Sequence, residues 1–462
     1  MTGLGTTALD LSLVHRIHVV GVGGAGMSAI AAVLRAMGQE VTGSDLKWAP
    51  LLDRLSAAGV TVDIGHTERN VAEADVVVVS SAVPDCNVEV AEARRRGIPV
   101  LRRSEALASI AAMRRCIAVA GTHGKTTTTS MLALILVEAG FKPSFMIGGD
   151  VNEIGTNAVW DTGEWLVLEA DESDGTFLSL DVEVGVVTNL EADHLEHYGD
   201  FDSLVTAFDT FCAGARDGVI AGADSEWSAR VGSRHHAVLV GQSADADWQI
   251  SGLSLGRSGS RFELVSPGLD DVGLTLAVPG SHNARNAAVA AVAAMRVGVP
   301  PDAARRALAR FAGVARRYEY RGEAGGVEFI DDYAHLPSEV AATVQTARAG
   351  GYDRVVAVFQ PHRYTRTAAV WEELGGSFAG ADVVVITDVY PAGEAPLPGV
   401  SGNLVAQSVE RCNPGLEVVY APNRAELGKT VGRLLRAGDL CLTMGAGDLT
   451  TLPDELLSDR AR

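Results

Sequence analysis

Cysteine is scarce in this sequence, aromatic residues are few, and long apolar runs are missing. The five cysteines are far apart and form no C-x-x-C pair, which argues against a structural zinc site or a disulfide framework and favours a reduced, cytoplasmic setting. No apolar run approaches the roughly 20 residues that span a bilayer, and residues 1–10 lack the pattern of a signal peptide. With 5% aromatic residues, the cores must consist mainly of Ala, Val, Leu and Ile. We therefore expect a cytoplasmic protein without membrane contact.

Basic side chains are outnumbered by acidic ones, 38 against 58, which gives a net charge of −20. Because nucleic-acid binding usually leaves a basic surface, nucleic acid is not expected as a partner. The acidic balance is typical of a well-solvated surface and still permits phosphate-bearing ligands, which need only local donors.

The chain of 462 residues is long enough for two or three domains. Apolar, β-rich runs alternate with helical patterns, which is typical of an α/β fold with parallel sheets covered on both faces. We expect boundaries near Ala112 and Arg317, and a small antiparallel excursion within 225–279. The main predicted strands are residues 16–21, 40–45, 75–80, 116–121, 165–169, 184–188, 327–330, 355–359, 383–387 and 440–443.

The first glycine loop, G-x-G-x-x-G from Gly21 to Gly26, follows a predicted strand and begins a helix. Glycines permit a tight turn, and the helix N-terminus offers N–H groups to a phosphate. Asp45 ends the next predicted strand, where an acid that binds the ribose of NAD would lie. The motif indicates a diphosphate ligand, either NAD or another nucleotide. A glycine turn that serves only strand–helix packing is the alternative.

The second glycine loop reads Gly-Thr-His-Gly-Lys-Thr-Thr-Thr over residues 121–128 and precedes a predicted helix over 130–139. It is shorter than a standard Walker A motif, which would have a glycine in place of Val119. Its core keeps the physical logic of a P-loop: backbone N–H groups wrap the phosphates, Lys125 neutralises their charge and Thr126 can bind Mg²⁺. The motif predicts binding of a nucleoside triphosphate.

Acidic residues follow two further predicted strands. Glu169 ends one of them, and His194 closes a run that follows the other. Carboxyl ends of parallel strands lie where α/β sheets bind ligands, and carboxylate oxygens suit Mg²⁺. We therefore favour Glu169 and His194 as functional residues, whereas Asp171, Glu172 and Glu191 are better interpreted as a solvated acidic loop.

Taken in order along the whole chain, these motifs resemble those of the Mur ligases, the cytoplasmic family that builds the peptide stem of peptidoglycan. Within this family, the runs at 169–174 and 388–394 resemble those of the members that add L-alanine. The alternative is the recycling members, which add a preformed peptide to the same nucleotide sugar. The stretches that carry the resemblance are 18–27, 121–128, 169–175, 188–194, 282–286, 315–317, 331–335, 359–367 and 388–394.

The resemblance implies three domains: a Rossmann-like domain for the UDP-sugar over 1–112, a P-loop domain for ATP over 113–317, and a Rossmann-like domain for the amino acid over 318–462. It also implies an ATP- and Mg²⁺-dependent ligation of L-alanine to UDP-N-acetylmuramate through an acyl phosphate, with closure of the C-terminal domain. The first glycine loop would then bind the UDP diphosphate. The sequence leaves open whether the enzyme is a monomer or a homodimer.

Site residues are likewise implied by the resemblance, position by position. Catalytic roles fall to Lys125, Glu169 and His194. Mg²⁺ ligation falls to Thr126, Glu169 and His194. ATP binding falls to Gly121, Thr122, His123, Gly124, Lys125, Thr126, Thr127, Asn283, Asn286 and Arg317. UDP-sugar binding falls to Gly21, Gly23, Gly24, Ala25, Gly26, Met27, Ser44, Asp45, Ser80, Ser81 and Ala82. Amino-acid binding falls to Tyr333, His335, Arg363 and Arg366.

Two details of the third segment matter for the amino-acid site. Arg363 and Arg366 are three apart, so on one helical turn they would share a face and grip the alanine carboxylate. The family usually carries two adjacent histidines where this chain has His335 and Leu336. We hypothesise that His335 makes the contact and that position 336 is peripheral, because its side chain would point elsewhere.

Three other classes of function remain as rivals. A dehydrogenase would use the first glycine loop for NAD but leaves the P-loop unexplained. A nucleotide switch or motor would hydrolyse ATP without needing an amino acid. A catalytically inactive sensor of nucleotide sugars would not need Lys125, Glu169 and His194. For the ligase itself, the base that deprotonates the amine is left open among His194, His335 and solvent.

Overall fold

The computed structural model describes residues 9–460, and the chain divides into two compact units. The first unit contains the chain up to Ser251 together with 263–274 and 285–309. The second contains 252–262, 275–284 and the chain from Arg310 onward. The described residues form three sheets of five, ten and six strands.

The first sheet is parallel, with β1 in the centre and the order β3-β2-β1-β4-β5. The chain leaves β1 for one side and later returns to the other, so the carboxyl end of β1 is a topological switch point, where such sheets bind ligands. The strands are β1 Arg16–Val20, β2 Glu40–Asp45, β3 Thr61–Ile64, β4 Val76–Val79 and β5 Val100–Arg102. The α-helices are α1 Ala25–Ala36, α2 Pro50–Ala57, α3 Val88–Arg96 and α4 Arg103–Ala111.

Strand β4 shows why this part of the chain forms a two-faced parallel sheet. Successive strand residues point to opposite faces. Val76 and Val78 belong to one apolar cluster, whereas Val77 and Val79 pack in another. A run of four valines therefore buries both of its faces, and helices are needed on each side.

The second sheet brings the loops that follow β6, β9 and β10 together at the carboxyl end of its strands. Its order is β15-β14-β13-β12-β11-β10-β6-β9-β7-β8, so β6 lies between β9 and β10. The strands are β6 Arg115–Ala120, β7 Ser144–Val151, β8 Thr156–Val159, β9 Trp165–Glu169, β10 Val184–Val187, β11 Val219–Gly222, β12 Val238–Gly241, β13 Trp248–Gly256, β14 Gly259–Val265 and β15 Val272–Leu276. The α-helices of this part are α5 Lys125–Glu138, α6 Leu195–Tyr198, α7 Phe201–Gly214, α8 Glu226–Arg234, α9 Ser281–Arg296 and α10 Pro301–Ala309.

The antiparallel excursion predicted within 225–279 lies inside that range, over β13 to β15, but the first part of the range is still parallel. Strands β11, β12 and β13 still pair in parallel. Only residues 257 and 258 separate β13 from β14. A connection this short joins antiparallel strands, because a parallel crossover needs a dozen or more residues.

The third sheet is parallel apart from one edge strand. Its order is β16-β17-β21-β18-β19-β20, and only β16 runs antiparallel to its neighbour among the described strand pairs. The strands are β16 Glu319–Ala324, β17 Val327–Asp332, β18 Arg354–Phe359, β19 Val383–Ile386, β20 Glu417–Tyr420 and β21 Asp439–Met444. The α-helices are α11 Pro337–Ala349, α12 Tyr364–Leu374, α13 Gly402–Cys412, α14 Arg424–Leu434 and α15 Leu452–Arg460.

The predicted α/β class is confirmed, and each of the ten predicted strands coincides with an observed strand to within two residues at either end. The helix predicted over 130–139 begins earlier, at Lys125, because Gly124 in a left-handed conformation precedes its first turn. Within residues 9–460, no helix combines the length and the apolar character that crossing a membrane requires.

Candidate active site

The first glycine loop connects β1 to α1 and is held by the ends of the neighbouring strands. Gly21 has a φ of +78°, and its N–H, like that of Val22, donates to the Ser44 carbonyl at the end of β2. A Cβ at Gly21 would lie 3.1 Å from Cβ of Ser80, just beyond β4. The structure therefore brings together two stretches that were predicted to bind the UDP-sugar.

The Asp45 carboxylate holds the first glycine loop in place. Its Oδ2 accepts the Gly23 N–H at 2.9 Å, and a Cβ at Gly23 would lie 2.8 Å from the same oxygen. At least one carboxylate oxygen therefore holds the loop backbone. Gly24, Ala25 and Gly26 are exposed at the start of α1, as are Ser81 and Ala82 after β4, whereas the side chains of Met27 and Ser44 are buried.

A buried carboxylate lies behind the loop. Glu89 is 0% exposed, and its Oε2 accepts hydrogen bonds from Ser44 Oγ at 2.6 Å and lies 2.9 Å from His66 Nδ1. Its Oε1 accepts from Asn70 Nδ2, and Nε2 of His18 is 3.7 Å from Oε2. Burial by itself would raise the pKa of Glu89, but the interactions with His18, Ser44 and Asn70 outweigh it and lower the pKa to about 2. Sequence reasoning missed this cluster, although a histidine inside the apolar run of β1 was a visible signal.

Arg103, at the start of α4, links the first glycine loop to the acidic loop that follows β9. A Cβ at Gly26 would lie 3.0 Å from Nη1 of Arg103. Its Nη2 donates to Asp174 Oδ2 at 2.9 Å and lies 3.8 Å from Asp171 Oδ2. Sequence reasoning missed this residue too, because its partners lie far along the chain.

The second glycine loop connects β6 to α5 and requires glycine at two positions. Gly121 and Gly124 have φ values of +132° and +76°. A Cβ at Gly121 would lie 2.1 Å from Thr188 Oγ1, and one at Gly124 would lie 2.5 Å from Asn286 Oδ1. The predicted nucleotide contact Asn286 therefore lies against the P-loop itself. Of the other predicted ATP contacts, Thr122 and His123 are partly buried in the turn, with Asn189 and Glu191 as partners, and Thr127 is buried in the first turn of α5.

Lys125 is held at the centre of this loop. Its Nζ donates to the carbonyls of Gly121 and Thr122 at 2.7 and 3.3 Å, and to Glu172 Oε1 at 2.8 Å. Burial by itself lowers the pKa of Lys125, but the nearby carboxylates, Glu172 first, outweigh it and raise the pKa. Lys125 is therefore a cation in this site at neutral pH.

The interpretation of Glu172 as part of a solvated loop is wrong. Glu172 is 1% exposed and paired with Lys125, because the turn after β9 folds its side chain inward over the P-loop. Burial raises its pKa, which the charge of Lys125 opposes. Asp171 and Glu191, at 40% and 47% side-chain exposure, are in contact with solvent, as the sequence indicated.

Thr126 and Glu169 meet at the start of α5. The Thr126 hydroxyl donates to Glu169 Oε1 at 2.9 Å, while Glu169 Oε2 accepts the Gly148 N–H at 2.6 Å. A hydroxyl and a carboxylate are ligands that Mg²⁺ accepts, and this ion usually takes one or two carboxylates together with phosphate oxygens and water. Within residues 9–460, no group of three His, Cys, Asp or Glu side chains is arranged as a complete metal cage. The pair therefore fits a Mg²⁺ ion that is bound jointly with a nucleotide.

His194 reaches the site from the loop after β10. Its backbone is left-handed, with φ of +55°, at the start of α6. Its Nε2 lies 3.2 Å from Asp193 Oδ2 and 3.9 Å from Glu172 Oε1. The imidazole is thus placed beside the Lys125–Glu172 pair.

In the second unit, the predicted residues Arg317, Tyr333 and His335 lie together. The guanidinium groups of Arg316 and Arg317 lie over the Tyr333 ring, 4.8 and 5.0 Å from its centre. Arg316 has a positive φ of +62°. Asp332, which precedes Tyr333, is also buried, and burial raises its pKa to about 6. Asn283, at the start of α9, is buried and donates to the Pro279 carbonyl at 2.7 Å.

Two imidazoles form the centre of the predicted amino-acid site. Nδ1 of His335 is 3.0 Å from the Tyr333 carbonyl, and its ring is 6.1 Å from that of His362. The ring of His362 stacks on Tyr390, and its Nδ1 is 3.3 Å from Arg366 Nη1. Burial lowers the pKa of His335 and lowers that of His362 to about 4. Both rings are therefore neutral at pH 7 and able to accept a proton.

Arg363 and Arg366 do not occupy one turn of α12 in the predicted way. Arg363 precedes the first helical residue and has a φ of +69°, whereas Arg366 lies within the helix. Nε of Arg363 donates to Glu394 Oε1 at 2.7 Å, and the backbone N–H of Arg363 donates to the Tyr390 carbonyl. Glu394 ends the 388–394 motif, so two stretches on which the family resemblance rests are in direct contact.

Leu336 immediately precedes α11 and is only 5% exposed, so its side chain packs inward. We expect Leu336→His to leave the rate with L-alanine within about tenfold of wild type and to lower stability by about 1–3 kcal/mol, because an imidazole would be buried without a prepared partner. Steady-state kinetics and thermal unfolding test this. A rate increase of more than about tenfold would show that position 336 belongs to the site.

Comparison with known proteins agrees with this geometry. Three family models match the chain in succession: the Mur ligase family catalytic domain at 16–115, the Mur ligase middle domain at 119–294 and the Mur ligase glutamate ligase domain at 316–447. UDP-N-acetylmuramate–L-alanine ligase of Kineococcus radiotolerans is 46% identical over 99% of both chains. The enzyme of the same name from Pelotomaculum thermopropionicum is 42% identical over 96% of this chain and 97% of its own.

A solved structure leads to the same family. UDP-N-acetylmuramate-alanine ligase of Thermotoga maritima superimposes with a TM-score of 0.82 at 28% identity, covering 96% of this chain and 98% of its own. The family models together match most of the chain, and they do so in the order of its three sheets. The chain belongs to the Mur ligase family.

Proposed function

We propose that this protein is an ATP-dependent ligase that joins L-alanine to UDP-N-acetylmuramate. The observation that carries the proposal is the P-loop between β6 and α5, with Lys125, Thr126 and Glu169 gathered around one point, in a chain whose full-length relatives bear the name of this ligase. We place the enzyme in the cytoplasm, where its five free cysteines stay reduced.

The first step activates the carboxylate of the lactyl group. A carboxylate oxygen attacks the γ-phosphorus of ATP, the bond to the β–γ bridging oxygen breaks, and ADP leaves an acyl phosphate behind. Such transfers depend on positioning and charge neutralisation, which the Lys125 ammonium and the N–H groups at the start of α5 provide. Thr126 and Glu169 would hold Mg²⁺, which supplies further neutralisation of phosphate charge when bound.

The second step forms the amide. The neutral amine of L-alanine attacks the acyl carbon, the tetrahedral intermediate expels phosphate, and the nitrogen loses a proton. Arg366 and Arg363 supply guanidinium groups for the alanine carboxylate. Among the candidate bases we favour His335, because burial lowers its pKa and leaves its ring neutral and ready to accept the proton.

Phosphate release tests the proposal. Full-length protein is incubated with ATP, Mg²⁺ and UDP-N-acetylmuramate, with and without L-alanine, and the product is weighed by mass spectrometry. We expect release only with both substrates and a product that is heavier by one alanine residue. Release that needs a peptide instead of L-alanine would identify a recycling ligase, and release that needs neither would identify a nucleotide switch.

A further inference from the structure

All three N–H groups of the Lys125 ammonium are used in hydrogen bonds to the protein. It carries three N–H bonds, and the protein supplies three acceptors, the carbonyls of Gly121 and Thr122 and the carboxylate of Glu172. A phosphate oxygen can bind Lys125 directly only if one of these acceptors is displaced. The two carbonyls belong to the backbone of the P-loop, so the carboxylate is the one that can leave.

Building on the proposed function, we infer that Glu172 is a resident counterion that competes with the nucleotide phosphate for Lys125. Glu172 is then a positioning residue. It keeps the lysine charged and directed into the loop, and the nucleotide must displace it before phosphate and lysine can meet.

The contact is arranged so that it can be broken. Oε2 of Glu172 is buried without a hydrogen-bond partner among the described residues, so one oxygen carries the contact. The backbone is fixed, because the Tyr198 hydroxyl donates to the Glu172 carbonyl at 2.5 Å. Displacement is therefore a rotation of the side chain and does not require the loop to unfold.

Electrostatics give the competition its sign. A carboxylate and a phosphate both carry negative charge, and like charges in a poorly solvated site repel strongly. With only 2% of its side chain exposed, Glu172 is screened little by water. Removing its charge should therefore favour the nucleotide, which is opposite to the usual effect of altering a residue that supports a binding site.

The variant Glu172→Gln tests this, because the amide keeps the shape of the side chain but loses the charge. Isothermal titration of the full-length protein with ADP should give a Kd at least about fivefold lower than that of wild type. With AMP, which lacks the phosphates that Lys125 contacts in a P-loop, the change should stay below about twofold. In steady-state assays the KM for ATP should fall more than kcat changes.

Asp171→Asn is the matched control. Asp171 is next to Glu172 and acts on Lys125 through charge, but it accepts its hydrogen bond from the Ser173 N–H. We expect this variant to change the ADP Kd by less than about twofold. Equal tightening by both variants would mean that overall charge is responsible, and it would overturn the role of Glu172.

Other outcomes are equally decisive. An unchanged or higher ADP Kd in the folded Gln variant overturns the inference. If that variant does not fold, Glu172→Ala serves in its place and must also bind ADP more tightly. Failure of the wild-type protein to bind ADP would instead refute the proposed function, and the inference with it.

Discussion

Replacing Lys125 with alanine reduces ATP-dependent ligation by at least about a hundredfold, the largest effect that we expect on activity. No other side chain described around the P-loop donates from a flexible ammonium, and backbone N–H groups alone leave the charge of the transferring phosphate poorly neutralised. Coupled measurement of ADP release, with both substrates present, gives the rate. A variant that keeps a tenth of normal turnover would contradict the role of Lys125.

Two controls separate chemistry from stability. Lys429→Ala removes an exposed lysine on α14 and should leave turnover unchanged. Lys125→Ala also leaves Glu172 buried without its cation, which typically costs about 3–5 kcal/mol. The double variant Lys125→Ala, Glu172→Gln removes that uncompensated charge. It should recover stability while remaining inactive.

Replacing Glu89 with alanine lowers the free energy of unfolding by about 3–5 kcal/mol, the largest loss of stability that we expect from one substitution outside a catalytic role. The carboxylate is fully buried and serves Ser44, His66 and Asn70 together, so its removal leaves several polar groups without a partner. Because the Ser44 carbonyl holds the first glycine loop, affinity for UDP-N-acetylmuramate should fall as well. Urea unfolding and ligand titration measure the two effects.

The same residue gives a pH dependence with a definite sign. The folded pKa of Glu89 is depressed from 4.5 to about 2, so its stabilising contribution is complete above pH of about 4.5 and is lost as the pH falls towards 2. The alanine variant should lack this part of the acid dependence. Glu73→Ala, at a position with 80% side-chain exposure, is the control and should change stability by less than about 0.5 kcal/mol. Equal losses in both variants would refute the importance of the buried cluster.

The strands that could be predicted from sequence are those buried on both faces. The continuous apolar runs of β4 and β19 are typical of strands buried on both faces of a sheet, and the glycine loops that follow β1 and β6 are local motifs. Strands such as β3, Thr61–Ile64, are short, polar and largely exposed, so periodicity does not reveal them. The fold class was therefore predictable, while the edges of the sheets were not.

For the candidate site, the limit of prediction is sequence distance. Lys125 lies inside a recognisable motif, but its partner Glu172 is 47 residues away, and Arg103 is 71 residues from Asp174. Nothing in the acidic run after β9 distinguishes the carboxylate that turns inward from those that face water. The turn after β9, a tertiary feature, makes that choice.

Several side chains at the site have backbones in conformations that favour glycine. The φ values of His194, Arg316 and Arg363 are +55°, +62° and +69°. Each such residue costs on the order of 1–3 kcal/mol, which the surrounding fold must offset. Selection for heat resistance alone would therefore favour glycine at these three positions, and it would remove one imidazole and two guanidinium groups from the site. The fold is therefore less stable than its apolar cores alone would allow, and the lost stability arises at residues of the candidate site.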